Sequence, residues 1–275
     1  MPPTPSLPSS PRSWLLTLTQ WWGGWWQVIH FGAQIWVLAL SASSYRSSQR
    51  RLMLHGIYRA TAPMLPSFTL LSAVVALVII RIVLATALSY GLSRYALDVL
   101  VRTLVLELIP LSAALFAALR YAMPAGERVR RMRLAGEFES LLAAGRDPTR
   151  DAVLPRAAAG VFAVITLAAV SSAITLVLAY VSVYGFSTWG VAGFTRTVGQ
   201  VFNPVIVLIF CLKTVFLSLA VAVIPMVPTP RERDASAGAG AGAGADRANA
   251  DITRLARLLS VVLMIEMVGL VGNYY

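Results

Sequence analysis

From Ala157 to Tyr184 the chain carries no Asp, Glu, Lys or Arg, and a run this long and this apolar has few stable homes. A helix rises about 1.5 Å per residue, so roughly 20 apolar residues cross the hydrocarbon of a bilayer. Four more apolar runs of comparable length, each carrying one to four charged residues, stand at about 63–90, 96–123, 201–223 and 252–275. With 57% hydrophobic and 13% charged residues and a mean hydropathy of +0.72, the chain is too apolar for a soluble domain. The expected fold class is an all-α membrane protein with five transmembrane helices.

The formal charge of +11 would suggest nucleic acid in a soluble protein. Here the arginines stand in loops between apolar runs, where they report topology and anionic headgroups, so no nucleic acid partner is expected. One side holds Arg46, Arg50, Arg51 and Arg59, the arginines from Arg120 to Arg156, and Arg231, Arg233, Arg247, Arg254 and Arg257; the other holds Arg94, Arg102 and Arg196. The positive-inside rule places the first set in the cytoplasm and the C-terminus on the opposite side. The single cysteine, Cys211, excludes a disulfide framework.

Ahead of the first span, residues 1–13 are rich in proline and serine and are expected to be disordered, without the pattern of a cleaved signal peptide. Between Trp14 and Leu40 the chain is apolar, broken by glycines and loaded with tryptophans, including Trp21, Trp22, Trp25, Trp26 and Trp36. Tryptophan favours the headgroup boundary, which predicts a helix lying in the interface; an extra span is the other reading. A polar linker follows to about residue 60. Residues 231–250 contain an alternating Ala/Gly stretch at 235–245, expected to be a flexible loop.

No Walker A element, HExxH, GxSxG or metal-ligand cluster occurs, and His30 and His55 are the only histidines. The chain is therefore expected to have no catalytic residue, no metal and no cofactor of its own. Two groups of residues remain. In the first, Glu127 to Gly145, Leu134, Phe138, Leu141 and Leu142 recur at the spacing of one helical stripe, with Arg128, Arg130, Arg131 and Arg133 crowding the first half and Glu137 and Glu139 beyond. That pattern predicts an amphipathic surface helix, suited to anionic lipid or to a groove on a cytoplasmic partner. Asp147-Pro148 then supplies a cap and a first-turn proline for a new helix.

The second group is intramembrane. Glu107, Lys213 and Glu266 lie at depths of roughly 16, 18 and 14 Å from the outer ends of their spans, close enough to share one level. Each costs about 2.5–3.5 kcal/mol at a bilayer centre, which predicts that Lys213 pairs with Glu107 or Glu266, as a structural bridge or as a headgroup site. Pro110, one turn past Glu107, should kink its helix and free a carbonyl that only a buried or wet position tolerates.

Glu107-Leu108-Ile109-Pro110, Arg120, Met132-Arg133, Asp147-Pro148 with Arg150, and Pro155-Arg156 with Gly160 together resemble the MlaE (YrbE) family of ABC transporter permeases. The similarity extends from about Arg51 to the C-terminus, through Gly56-Ile57-Tyr58-Arg59, Lys213-Thr214-Val215-Phe216 and Thr253-Arg254. The chain departs from the family's pattern at Glu127-Arg128-Val129-Arg130-Arg131-Met132, at Ala135-Gly136-Glu137 and at Leu119, so it resembles a divergent member. The resemblance implies an interfacial elbow helix and linker at 14–60, a permease domain at 61–275 and a cytoplasmic coupling segment at 127–156. It implies ATPase contact through Arg128, Arg130, Arg131, Met132, Arg133, Glu137, Phe138, Asp147 and Pro148, and a lipid cavity near Glu107, Pro110, Lys213 and Glu266. Arg120, Pro155 and Arg156 would be structural. Also implied are a bacterial inner-membrane location, a second permease copy, a cytoplasmic ABC ATPase bringing ATP and Mg, a periplasmic MCE-domain protein, a STAS-domain protein, and phospholipid or a similar lipid as cargo. The alternatives are a permease subunit that no longer couples to ATP hydrolysis and a secondary transporter running an ion relay through Glu107, Lys213 and Glu266.

Overall fold

The computed structural model describes residues 30, 32–34, 47–228 and 245–274. Most of the expected interfacial helix, residues 1–13 and most of the Ala/Gly loop lie outside the described residues. Every element among the described residues is helical. In order they are α1 (Ser47–Thr61), α2 (Met64–Ser89), α3 (Tyr95–Leu134), α4 (Glu137–Ala143), α5 (Thr149–Tyr184), α6 (Val191–Val201), α7 (Pro204–Met226) and α8 (Ala245–Tyr274). Five helices are long and apolar enough to cross a membrane, as the runs predict.

Helix α5 is the axis of the bundle and packs against α1, α2, α3 and α7, while α8 leans on α7. Small residues let α5 come close: Ala157, Ala159, Gly160 and Ala163 are buried, and a Cβ on Gly160 would sit 3.3 Å from that of Ala222 on α7. Without a hydrophobic drive between helices in lipid, such close backbone approach is what van der Waals packing requires. Outward faces of α2 and α8 remain apolar, with Leu70, Val74, Val78, Leu263, Met264 and Met267 all exposed. These faces call for lipid or protein cover.

Three prolines shape the helices that carry the polar residues. Pro110, Pro124 and Pro155 each fall in the first turn of an α-helical stretch that follows a wide π-helical one, at Val101–Leu108, Ala118–Ala122 and Thr149–Val153. A proline lacks the N–H that the preceding turn would use and its ring crowds that turn; a register shift to π geometry absorbs both defects without breaking the helix.

Four expectations change in detail. Residues 47–61, read as a polar linker, are helical and α1 packs on α5. The polar turn around Arg196 contains α6, whose Phe194, Val198 and Val201 pack into the core beside α3, and Asn203 then caps α7 through its side-chain oxygen and Val205 N at 3.3 Å. The helix that carries the second span does not end near Met123 but continues to Leu134. Most consequential, Glu127 to Gly145 is not one helix. Gly136 adopts φ +74°, and the Ala135 and Gly136 N–H groups close on the carbonyls of Arg131 (2.9 Å) and Arg133 (3.1 Å). This glycine-terminated end satisfies the last carbonyls of α3 and turns the chain. Leu134 and Leu142 are left exposed and only Phe138 reaches the core, so the predicted stripe is split between two helices.

Candidate functional site

Two polar assemblies bracket one packed wall of the bundle. The upper one lies mid-span. Lys213 reaches from α7 between α3 and α8, where its Nζ donates to a Glu107 carboxylate oxygen, to Glu266 Oε1 at 2.8 Å and to the Leu106 carbonyl at 3.4 Å. An ammonium has three N–H donors, and all three are engaged. Leu106 is four residues before Pro110, so Lys213 supplies the donor that the proline cannot. The predicted kink and the predicted pairing therefore meet in one contact.

Burial makes this arrangement demanding. Lys213 is 3% exposed and Glu107 and Glu266 8% each, and charges this deep persist only with partners. The lysine stem lies across Gly269 of α8, where a Cβ would come within 3.0 Å of Lys213 Cδ. Gly269→Leu is accordingly expected to push the ammonium off Glu266 and lower thermal stability in detergent, by about 1–3 kcal/mol for an overpacked site; an unchanged melting temperature would contradict that geometry. Helix α5 carries buried hydroxyls on Ser171, Ser172 and Thr175 without a hydrogen-bond partner, and Glu266 Oε2 is likewise unbonded.

The lower assembly is built where α3 emerges. Glu127 accepts from Arg130 Nε at 2.6 Å and Nη2 at 2.7 Å, a forked contact, and from Arg131 Nε at 3.1 Å. Its second oxygen also faces Arg254 Nη1 of α8 at 3.8 Å, and Arg254, only 3% exposed, meets Asp251 at 3.4 Å. Arg133 donates to the Met226 carbonyl of α7 at 3.0 Å and lies over the Phe138 ring at 5.2 Å. That cation–π contact holds α4 against the end of α3. Gly126 permits the approach: a Cβ there would stand 2.3 Å from Pro225 O.

Arg128, Arg131, Glu137 and Asp147 are exposed, Met132 is half-buried, and Pro148 is buried. Asp147 accepts from Thr149 N at 2.9 Å, as a cap at the start of α5. Arg120 is exposed, and Pro155 and Arg156 are half-buried. Tyr121 donates to Arg156 O at 3.1 Å, pinning α3 to α5. The structure thus gathers Glu107, Pro110, Lys213 and Glu266 in one place and Arg130, Arg131 and Arg133 in another. Arg120 and Arg128 join neither.

Sequence reasoning passed over Glu127 as a hub and Arg254 as its partner. The first was legible, since a glutamate three and four residues before two arginines is a helical ion-pair pattern. The second had no signal, because more than a hundred residues separate the two positions.

The family model for the permease MlaE matches residues 53–245. The chain belongs to the MlaE permease family. It is a multi-pass membrane permease, a transport subunit. The matched range takes in α2 to α7 and with them Glu107, the arginine-rich end of α3 and Lys213, while Glu266 and Arg254 on α8 lie beyond it. Among curated proteins nothing matches the chain.

Proposed function

We propose that this permease is the transmembrane subunit of an ATP-driven MCE-type transporter that moves phospholipid or a similar hydrophobic lipid between the bacterial inner membrane and a periplasmic MCE-domain protein. Two copies of the permease domain flank the lipid path, and ATP and Mg bind on a separate cytoplasmic ATPase; a STAS-domain protein completes the set of partners. Family membership supports the permease role. The observation that carries the ATP-driven part is the corner where α3 continues past its apolar run into Arg128, Arg130, Arg131 and Arg133 and then folds back as α4. This corner stands on the arginine-rich side, offers exposed Arg128, Arg131 and Glu137 to a partner, and is anchored behind by Arg133 and Phe138. A force applied there reaches spans directly because α3 is one uninterrupted helix from Tyr95 to Leu134.

In this conformation the ammonium of Lys213 has no donor left for a lipid headgroup, which favours the structural version of the triad. The lipid path then lies on the outward apolar faces rather than through the triad.

Purification in mild detergent, followed by identification of what copurifies, tests the proposal. An ABC ATPase together with an MCE-domain protein is the expected outcome, and a chain that comes away alone overturns it. Charge reversal of Arg128 to glutamate is expected to weaken or lose the ATPase from the purified material, while the chain itself keeps its thermal stability, since this side chain is exposed and surface charges contribute about 0–1 kcal/mol.

A further inference from the structure

The two polar assemblies described above involve the same three helices. At mid-span, Lys213 of α7 joins Glu107 of α3 to Glu266 of α8. At the arginine-rich end, Glu127 of α3 faces Arg254 of α8, and Arg133 of α3 donates to the last turn of α7 at Met226. Twelve residues of α8 separate Arg254 from Glu266, about 18 Å along the helix, and a similar length of α7, about 20 Å, separates Lys213 from Met226. The space between the two levels is filled by a single apolar cluster. It is drawn from Ala114, Ala117, Ala118 and Ala122 of α3, Leu217, Val221 and Ile224 of α7, and Leu258 and Val262 of α8, with only Val164 of α5 joining. A wall tied at both edges and close-packed between them has little freedom to shear, because sliding one helix would break a buried ion pair and open voids at once.

We propose that Arg254 is a positioning residue that locks α8 to the end of α3, so that α3, α7 and α8 move as one cross-braced unit when the arginine-rich corner is displaced. The inference rests on the ATP-coupled reading of that corner. Arg254 fits the role because it is buried, it is on the helix that has no covalent neighbour in the corner, and it is the cation through which Glu127 reaches another span. Arg130 and Arg131, which share Glu127, pair with it from its own helix, whereas Arg254 pairs with it from α8. With Arg254 in place, displacement of Glu127 carries α8 and its Glu266 along; without it, α3 moves past α8 and the mid-span triad absorbs the mismatch.

The test uses the complete transporter in proteoliposomes and the full chain in detergent. In the transporter, Arg254→Met is expected to lower the lipid moved per ATP hydrolysed by about fivefold or more, the low end of typical coupling between sites. Hydrolysis itself should continue, and Arg254→Lys, which keeps the charge, should recover at least half of the loss. In the full chain, thermal unfolding of Glu127→Gln, Arg254→Met and the double variant is expected to be non-additive, with the double variant losing about 2–4 °C less than the sum of the singles. Additive shifts would show that the two side chains do not interact and would overturn the lock, whatever the transporter does. Non-additive shifts with an unchanged lipid-to-ATP ratio in Arg254→Met would overturn the positioning role. Non-additive shifts in a chain whose wild-type assembly moves lipid without ATP would leave the lock standing and overturn the reading on which its mechanical use rests.

Discussion

Lys213→Met is expected to be the most damaging single substitution in this permease. It removes the cation that joins Glu107 to Glu266, two carboxylates at 8% exposure, and it also takes the Lys213 donor from the Leu106 carbonyl. Removing one partner from a buried ion pair costs about 3–5 kcal/mol, because the survivor stays desolvated and unpaired. That is a large share of the roughly 5–15 kcal/mol by which folded proteins are stable. The variant should therefore accumulate poorly, and its melting temperature in detergent should fall sharply. Replacing the whole triad, with Glu107→Gln and Glu266→Gln added to Lys213→Met, is expected to recover most of the lost stability, since an all-neutral site carries no stranded charge. A triple variant as unstable as Lys213→Met would show that the damage comes from the lost lysine stem and its packing on Gly269 and not from the carboxylates.

The second large effect is expected at Gly126. Its missing side chain is what lets α3 pass the Ile224–Met226 turn, and even a single methyl would meet Pro225 O at 2.3 Å and Pro225 C at 2.8 Å. Those atoms are backbone and cannot swing aside, so Gly126→Ala should force α3 away from the end of α7 at about 1–3 kcal/mol, and Gly126→Leu should cost more. The displaced segment carries Glu127 one residue on, so the same substitution should loosen the contacts to Arg254 and the Arg133 bond to Met226. Thermal unfolding of the two variants, ranked alanine above leucine, checks the argument; equal stability with the parent would mean the approach is not as tight as the structure has it. By contrast Gly136 and Gly145 have open space around their missing Cβ atoms, and substitution there is penalised through positive φ alone.

Hydrophobic run length and arginine placement were enough to read off the five spans and the all-helical class, because lipid imposes a nearly one-dimensional rule on what can cross it. The same rule exposed Glu107, Lys213 and Glu266, since a charge inside an apolar run is costly wherever its helix ends up and must find a partner. Pro110 announced a freed carbonyl for a similarly local reason. These readings needed only the residue and its neighbours along the chain.

What local pattern could not supply was the choice among partners and the course of the chain at the arginine-rich corner. A stripe at helical spacing from Leu134 to Leu142 was compatible with one surface helix. Gly136 ended α3 instead, because the cation–π stack of Arg133 on Phe138 and the bond from Arg133 to Met226 compensate a fold-back that the periodicity alone does not register. Whether Lys213 would take one glutamate or both depended on three helices reaching the same depth with the right rotation, a property of packing and not of any single span. Likewise Arg254 reads in sequence as one more arginine at the mouth of a helix, and only the meeting of α8 with α3 makes it a buried partner of Glu127. Solvation energetics along the chain thus determined which residues had to be satisfied, and the assembled bundle decided by whom, because the energy of a buried charge is set by its own surroundings whereas its partner is set by distances that no local stretch encodes.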